Sequence, residues 1–232
     1  MERQLLMPGL YADSMQPEIL YCDDRVIVCV KPAGVLSTDE PGGMPELLRQ
    51  ALNTEVIKSV HRLDRVTGGI MVYARTRRAA SDLEAQIRGG IFHKTYLAVL
   101  HGVPQPESGR FSDWLHRDAG QRKSFIVPPG SPQAQRAELA YRVLAENSGL
   151  ALVGIDLYTG RTHQIRCQFA GHGYPLAGDR KYGGPDENTQ LALWACRLVF
   201  EHPRDKKQME FRAAPPLTES WKFFLDTIEK LK

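Results

Sequence analysis

Apolar positions fall along this chain in short runs separated by glycine, proline and charge. Val26-Ile27-Val28-Cys29-Val30 and Ile70-Met71-Val72-Tyr73-Ala74 are continuous runs with the length of buried strands. Ile19-Leu20-Tyr21 precedes the first of them across Cys22-Asp23-Asp24-Arg25, a strand, turn and strand. Pro32 ends that second strand because proline cannot donate to a ladder. Residues 96–100 read as a strand that stops at His101-Gly102-Val103-Pro104. Residues 137–144 and 150–157 read as two strands turning at Glu146-Asn147-Ser148-Gly149, and residues 191–200 as another apolar strand. Helical patterns occupy 46–52, 78–88 (stopping at Gly89-Gly90) and 164–170 (stopping at Gly171-His172-Gly173). A last helix is expected over 220–231, with Trp221, Phe224, Leu225 and Ile228 on one face.

Between 107 and 135 the chain is rich in Gly, Pro, Ser and charge, with Phe111, Trp114, Leu115 and Phe125-Ile126-Val127 to pack. Short strands and mobile connections are expected there. Residues 1–18 show no sustained period and read as an arm ahead of a single domain, 19–232. Strands dominate without regular strand–helix alternation. The expected class is α+β, a mixed, mainly antiparallel central sheet with flanking helices and loops.

Composition adds little: 42% hydrophobic and 25% charged residues over 232 positions suit a globular chain with a substantial core. No run of about 18 apolar residues marks a membrane span, and no secretory signal pattern opens the chain. The four cysteines, Cys22, Cys29, Cys167 and Cys196, are scattered, which favours reduced thiols over disulfides or zinc. A net charge of +3 says little, but clustering says more. Arg75, Arg77 and Arg78 form one basic cluster, Arg161 and Arg166 a second, and Arg180 and Lys181 a third. Each lies beside a motif described below, where phosphate contacts would be useful. Arg204, Lys206 and Lys207 read as an ordinary turn.

The segment 61–74, HRLDRVTGGIMVYA, most needs a chemical explanation. Arg62 and Asp64 are two apart and would point the same way in an extended strand. Thr67-Gly68-Gly69 then breaks the pattern with two residues that tolerate positive φ, directly before a core strand. A charged segment held on a turn against a rigid strand is where a fold aims a functional group. HRLD followed by TGG resembles the HRLDxxTSG signature of the RluA family of pseudouridine synthases, with Gly68 where serine usually stands.

Four further stretches are similar to motifs of that family, in family order. Lys31-Pro32-Ala33-Gly34 resembles its NKPAG segment, with Val30 in place of asparagine. Lys94-Thr95-Tyr96 within HKTYLAV resembles K-x-Y-x-A. Residues 159–168 resemble TGRTHQIRxH, with Gln168 where histidine usually stands. The stretch from Tyr174 to Gly184 is similar to hPLxGDxxYGG, and its glycines and Asp179 are expected to shape a loop near the cleft rather than to catalyse. The matches span roughly residues 19–202.

What the resemblance implies is specific. The fold would be pseudouridine synthase-like, with a cleft across the sheet and without the N-terminal S4-type domain that relatives often carry. Asp64 would be the catalytic nucleophile, Arg166 its ion-pair partner and Tyr96 the ring that stacks on uracil. Ile165 would contact the base, and Arg62 would fill the space vacated by the flipped nucleotide. Arg161, His163, Arg180 and Lys181 join the list of substrate contacts through their motifs. The reaction breaks the uridine N1–C1′ bond, turns the base and rejoins it through C5. Attack at C1′, addition at C6 and 2′-deprotonation all remain open. No cofactor is expected, no metal, and no membrane. The partner is ribosomal or transfer RNA, and the expected form is a cytoplasmic monomer.

Two rivals come from other classes. A binding-only RNA module would need the basic clusters but no nucleophile. A metal-dependent hydrolase would use His61, Asp64 and His163, although the histidines lie in separate segments without zinc-like spacing.

Overall fold

The computed structural model describes residues 17–183, 189–217 and 219–231. The expected arm falls almost wholly outside these residues, as does Gly184. The strands are β1 (Glu18–Cys22), β2 (Val26–Lys31), β3 (Lys58–Ser59), β4 (Gly68–Ala74), β5 (His93–His101), β6 (Ser108–Asp118), β7 (Lys123–Val127), β8 (Gln135–Asn147), β9 (Leu150–Leu157), β10 (Leu193–Glu201) and β11 (Gln208–Arg212). The helices are α1 (Met44–Leu52), α2 (Arg77–Gly89), α3 (Gln164–Gly171) and α4 (Leu225–Glu229). The strands form one sheet in the order β1-β2-β4-β10-β5-β9-β8-β6-β7, with β11 on β10 and β3 on β4. Within that sheet the β4–β10 pair is parallel, and the other paired strands run antiparallel. The α+β expectation holds.

β2 and β4 are buried along their whole length, as unbroken apolar strands covered on both faces should be. On one face Ile27, Met71 and Tyr73 meet Met44 and Leu48 of α1 and Ile165 and Phe169 of α3. On the other, Val28, Val72 and Phe200 meet Ala79 and Leu83 of α2. Thr76 starts α2 by accepting the Ala79 N–H, and Gly90, at φ +75°, closes it.

The structure corrects four expectations. Gly68 and Gly69 do not belong to the turn; they begin β4, and the turn is Asp64–Thr67, closed by the Thr67 N–H to the Asp64 carbonyl at 3.0 Å. In the region 107–135 β7 is a short strand as expected, but β6 is long, because Phe111 and Leu115 repeat on one face of an otherwise polar hairpin. β11 was not foreseen; only its alternate Met209 and Phe211 pack inward. The last helix begins as a 3₁₀ segment, Glu219–Phe224, and this tighter winding turns Leu225 outward while Trp221, Phe224 and Ile228 stay buried.

The two glycines have a steric cause. A Cβ on Gly69 would sit 2.3 Å from the Ala195 carbonyl oxygen, and one on Gly68 would sit 2.3 Å from the Trp194 ring. Gly68→Ser should therefore cost about 1–3 kcal/mol through overpacking. Adding Trp194→Leu should recover part of that loss. Urea unfolding of the two single variants and the double variant tests it; additive costs would show that the ring and the glycine are not matched.

Candidate active site

The Asp64 loop is pinned from below by the turn after β2. Lys31 is buried, and its ammonium donates to the carbonyls of Pro32 (2.8 Å), Val35 (2.7 Å) and Arg65 (3.2 Å). Burial lowers its pKa to about 8, and the nearby Asp64 charge resists that fall. The Ser37 hydroxyl donates to the Leu63 carbonyl and accepts the Leu63 N–H, while Gly34 and Arg65 exchange two further bonds. His61 works from the other side. Its Nε2 accepts the Val72 N–H at 3.1 Å, and burial with the Lys94 charge lowers its pKa to about 3, so it stays neutral. The resemblance to NKPAG thus falls on the segment that supports the aspartate.

α3 brings Arg166 to Asp64 across the chain. Arg166 Nη1 lies 3.5 Å from Asp64 Oδ2. Its fork is committed elsewhere: Nε and Nη2 each donate at 2.8 Å to Asp179, whose side chain is fully buried. Asp179 also accepts the N–H groups of Lys181 and Tyr182. Burial alone would lower the Arg166 pKa, but the Asp179 bonds and the charges of Asp179 and Asp64 raise it. Arg166 therefore carries a permanent positive charge beside Asp64. Asp179, expected only to shape a loop, is the group that orients this arginine.

His163 enters α3 at φ +53° and lies 3.9 Å from Asp64 through Nε2. Its Nδ1 meets the Tyr182 hydroxyl at 3.1 Å, and that hydroxyl accepts the Ser124 N–H. Burial lowers the His163 pKa against the pull of Asp64, and burial pushes the Tyr182 phenol up to about 12. We assign a neutral imidazole whose Nδ1 accepts a hydrogen bond from the Tyr182 hydroxyl and whose Nε2–H turns toward the carboxylate.

Tyr96 projects from β5 into the same pocket, buried, with its pKa raised by burial and by Asp64. The pocket has a volume of about 70 Å³, and Arg62, Asp64, Tyr96, Arg161, His163, Ile165 and Arg166 all line it. Seven of the nine expected site residues thus meet, although they lie up to 104 positions apart in the chain (Arg62 to Arg166). Arg180 and Lys181 do not line the pocket; both are exposed, and Lys181 donates to the Arg122 carbonyl. Sequence reasoning passed over Lys94 and Thr67, which also line it. Lys94 could have been found, since it stands two before Tyr96 on one strand face. A larger hollow, about 450 Å³, opens near Thr95, Asp156, Cys196 and α4, and it contains none of the expected site residues.

Among the described residues no three His, Cys, Asp or Glu side chains are placed to hold a metal, and His61 is engaged with the β4 backbone. The hydrolase reading therefore lacks its ligand set.

The family model described as RNA pseudouridylate synthase matches residues 25–171. The chain belongs to this family. The RNA pseudouridine synthase YlyB of Bacillus subtilis is 33% identical over 233 aligned positions, 94% of this chain and 75% of that protein. The dual-specificity RNA pseudouridine synthase RluA of Escherichia coli is 34% identical over 211 positions, 84% of this chain and 91% of that one. In fold, the chain matches human RNA pseudouridylate synthase domain containing 4 with a TM-score of 0.75 at 23% identity, covering 94% of this chain and 95% of that one. This RNA pseudouridine synthase is thus an isomerase acting on RNA, of the RluA type.

Proposed function

We infer that residues 19–232 form one catalytic domain that converts uridine in a ribosomal or transfer RNA stem-loop to pseudouridine, with Asp64 as its nucleophile. The observation that carries this reading is the meeting of Asp64, Tyr96 and Arg166 in one pocket, with Arg166 held rigidly by Asp179. Arg166 sets a positive charge beside the carboxylate, and a positioned carboxylate suits attack at C1′, addition at C6 or removal of the 2′ proton. Tyr96 and Ile165 supply the apolar walls for a base that has left its stack. Arg62, exposed at the mouth beside Asp64, takes the space the base leaves. The choice of ribosomal or transfer RNA rests on relatives: one carries dual specificity in its name, and another is a ribosomal large subunit pseudouridine synthase. No cofactor enters this chemistry, and the setting is a cytoplasmic monomer.

Pseudouridine mapping of total RNA from cells with and without the gene tests the target, followed by assay of the purified protein on the mapped stem-loop. A site lost in transfer or ribosomal RNA supports the reading; loss confined to another RNA class overturns it. Binding should also depend on salt, with log affinity falling against log salt by about 0.7 per phosphate neutralised by Arg62 and Arg161. A flat plot would place these arginines away from the RNA.

A further inference from the structure

Lys94 shares the pocket of Asp64 and Tyr96 and takes no part in the chemistry described so far. It stands two residues before Tyr96 on β5, so both side chains project from the same face of the sheet. Among the described residues its ammonium has no hydrogen bond and no ion pair, and burial lowers its pKa with no carboxylate to offset the fall. Nζ lies 3.5 Å from where a Cβ on Gly160 would stand, an ordinary contact distance that sets the amine against the turn leading into α3. His61, whose pKa the Lys94 charge helps to lower, is neutral and supplies no counter-charge. A partly enclosed cation without a counter-ion is costly, and a ligand that brings negative charge to this end of the pocket would offset that cost.

The reaction itself creates such a charge. When the C1′–N1 bond breaks, its electron pair leaves with the base and spreads over N1, O2 and O4. We propose that Lys94 is a catalytic residue whose ammonium donates a hydrogen bond to a carbonyl oxygen of the target uracil and stabilises the base as it departs. The proposal rests on the reading of this pocket as the uridine site. The ammonium keeps its proton throughout. C1′ is relieved by the Asp64 carboxylate or by loss of the 2′ proton. The electron pair returns through C5 to form the new C–C bond, after which C5 loses a proton and N1 gains one. Backbone phosphate is the competing anion, but Lys94 sits inward beside Tyr96, whereas Arg62 is exposed at the mouth. Donors placed where charge develops in an enclosed site act with most effect.

The test uses the full-length protein in single turnover on the mapped stem-loop, carrying uridine or 5-fluorouridine at the target. Fluorine withdraws electrons, so the departing base needs less help. Lys94→Met should slow N-glycoside cleavage on the order of 100-fold with uridine, leave Kd unchanged, and lose distinctly less with 5-fluorouridine. Lys94→Arg should restore most of the rate. Equal losses on both substrates, or a loss confined to Kd, would overturn the proposal, the latter in favour of a phosphate contact. An unchanged rate would overturn it too. Asp64→Asn is run in parallel: if that variant stays active, the reading of the pocket fails rather than the role of Lys94. Circular dichroism checks folding, and Lys94→Gln replaces Lys94→Met if the latter unfolds.

Discussion

Arg166→Met is expected to lower the unfolding free energy by about 3–5 kcal/mol, because it leaves the fully buried Asp179 carboxylate without its cation. Activity should fall with it, since Asp64 loses the nearby positive charge. The geometry also says which pair is coupled. Arg166 makes two 2.8 Å bonds to Asp179 and a single 3.5 Å approach to Asp64. A double-mutant cycle on Arg166 with Asp179→Leu should therefore show a large non-additive term, and a cycle with Asp64→Ala a small one. Denaturant titrations of the five variants and wild type measure both terms. The opposite ranking would mean that the principal partner of Arg166 is the catalytic carboxylate. Arg166→Lys should not rescue, because an ammonium cannot reproduce the two-bonded fork that Asp179 accepts.

Asp64→Asn should reduce turnover by at least about four orders of magnitude, as expected when a nucleophile is removed from a group that acts as a unit. Its stability should change little. Asp64 is partly exposed, makes only long contacts to Arg166 and His163, and its loop is held through its backbone by the Lys31 ammonium, the Ser37 hydroxyl and the Gly34 N–H, none of which binds the carboxylate. Assay of pseudouridine in the mapped RNA, beside a melting curve, separates the two effects. Turnover near that of wild type would remove Asp64 from the chemistry. A large fall in melting temperature would mean that its carboxylate belongs to the fold.

Much of this site could be read from the chain because its motifs are local in sequence. The turn before a core strand, the Lys-x-Tyr pair on one strand face and the arginine four residues after Thr162 each carry their geometry within a few residues. Alternation and unbroken apolar runs likewise determined the antiparallel sheet and its central strands, since a strand buried on both faces has no polar positions to spare. Contacts between distant segments were decided only by the tertiary structure. Asp179 lies 13 residues beyond Arg166 and Trp194 lies 126 beyond Gly68, and no local pattern states that they touch. A glycine beside a charged segment reads as a turn until a neighbouring strand is seen to occupy the place of its side chain. Edge strands such as β11 escape notice because two inward residues are too few to set a period. For Lys94 the strand spacing places the side chain on the face of Tyr96, but only the folded pocket shows that, among the described residues, its ammonium has no hydrogen bond or ion pair.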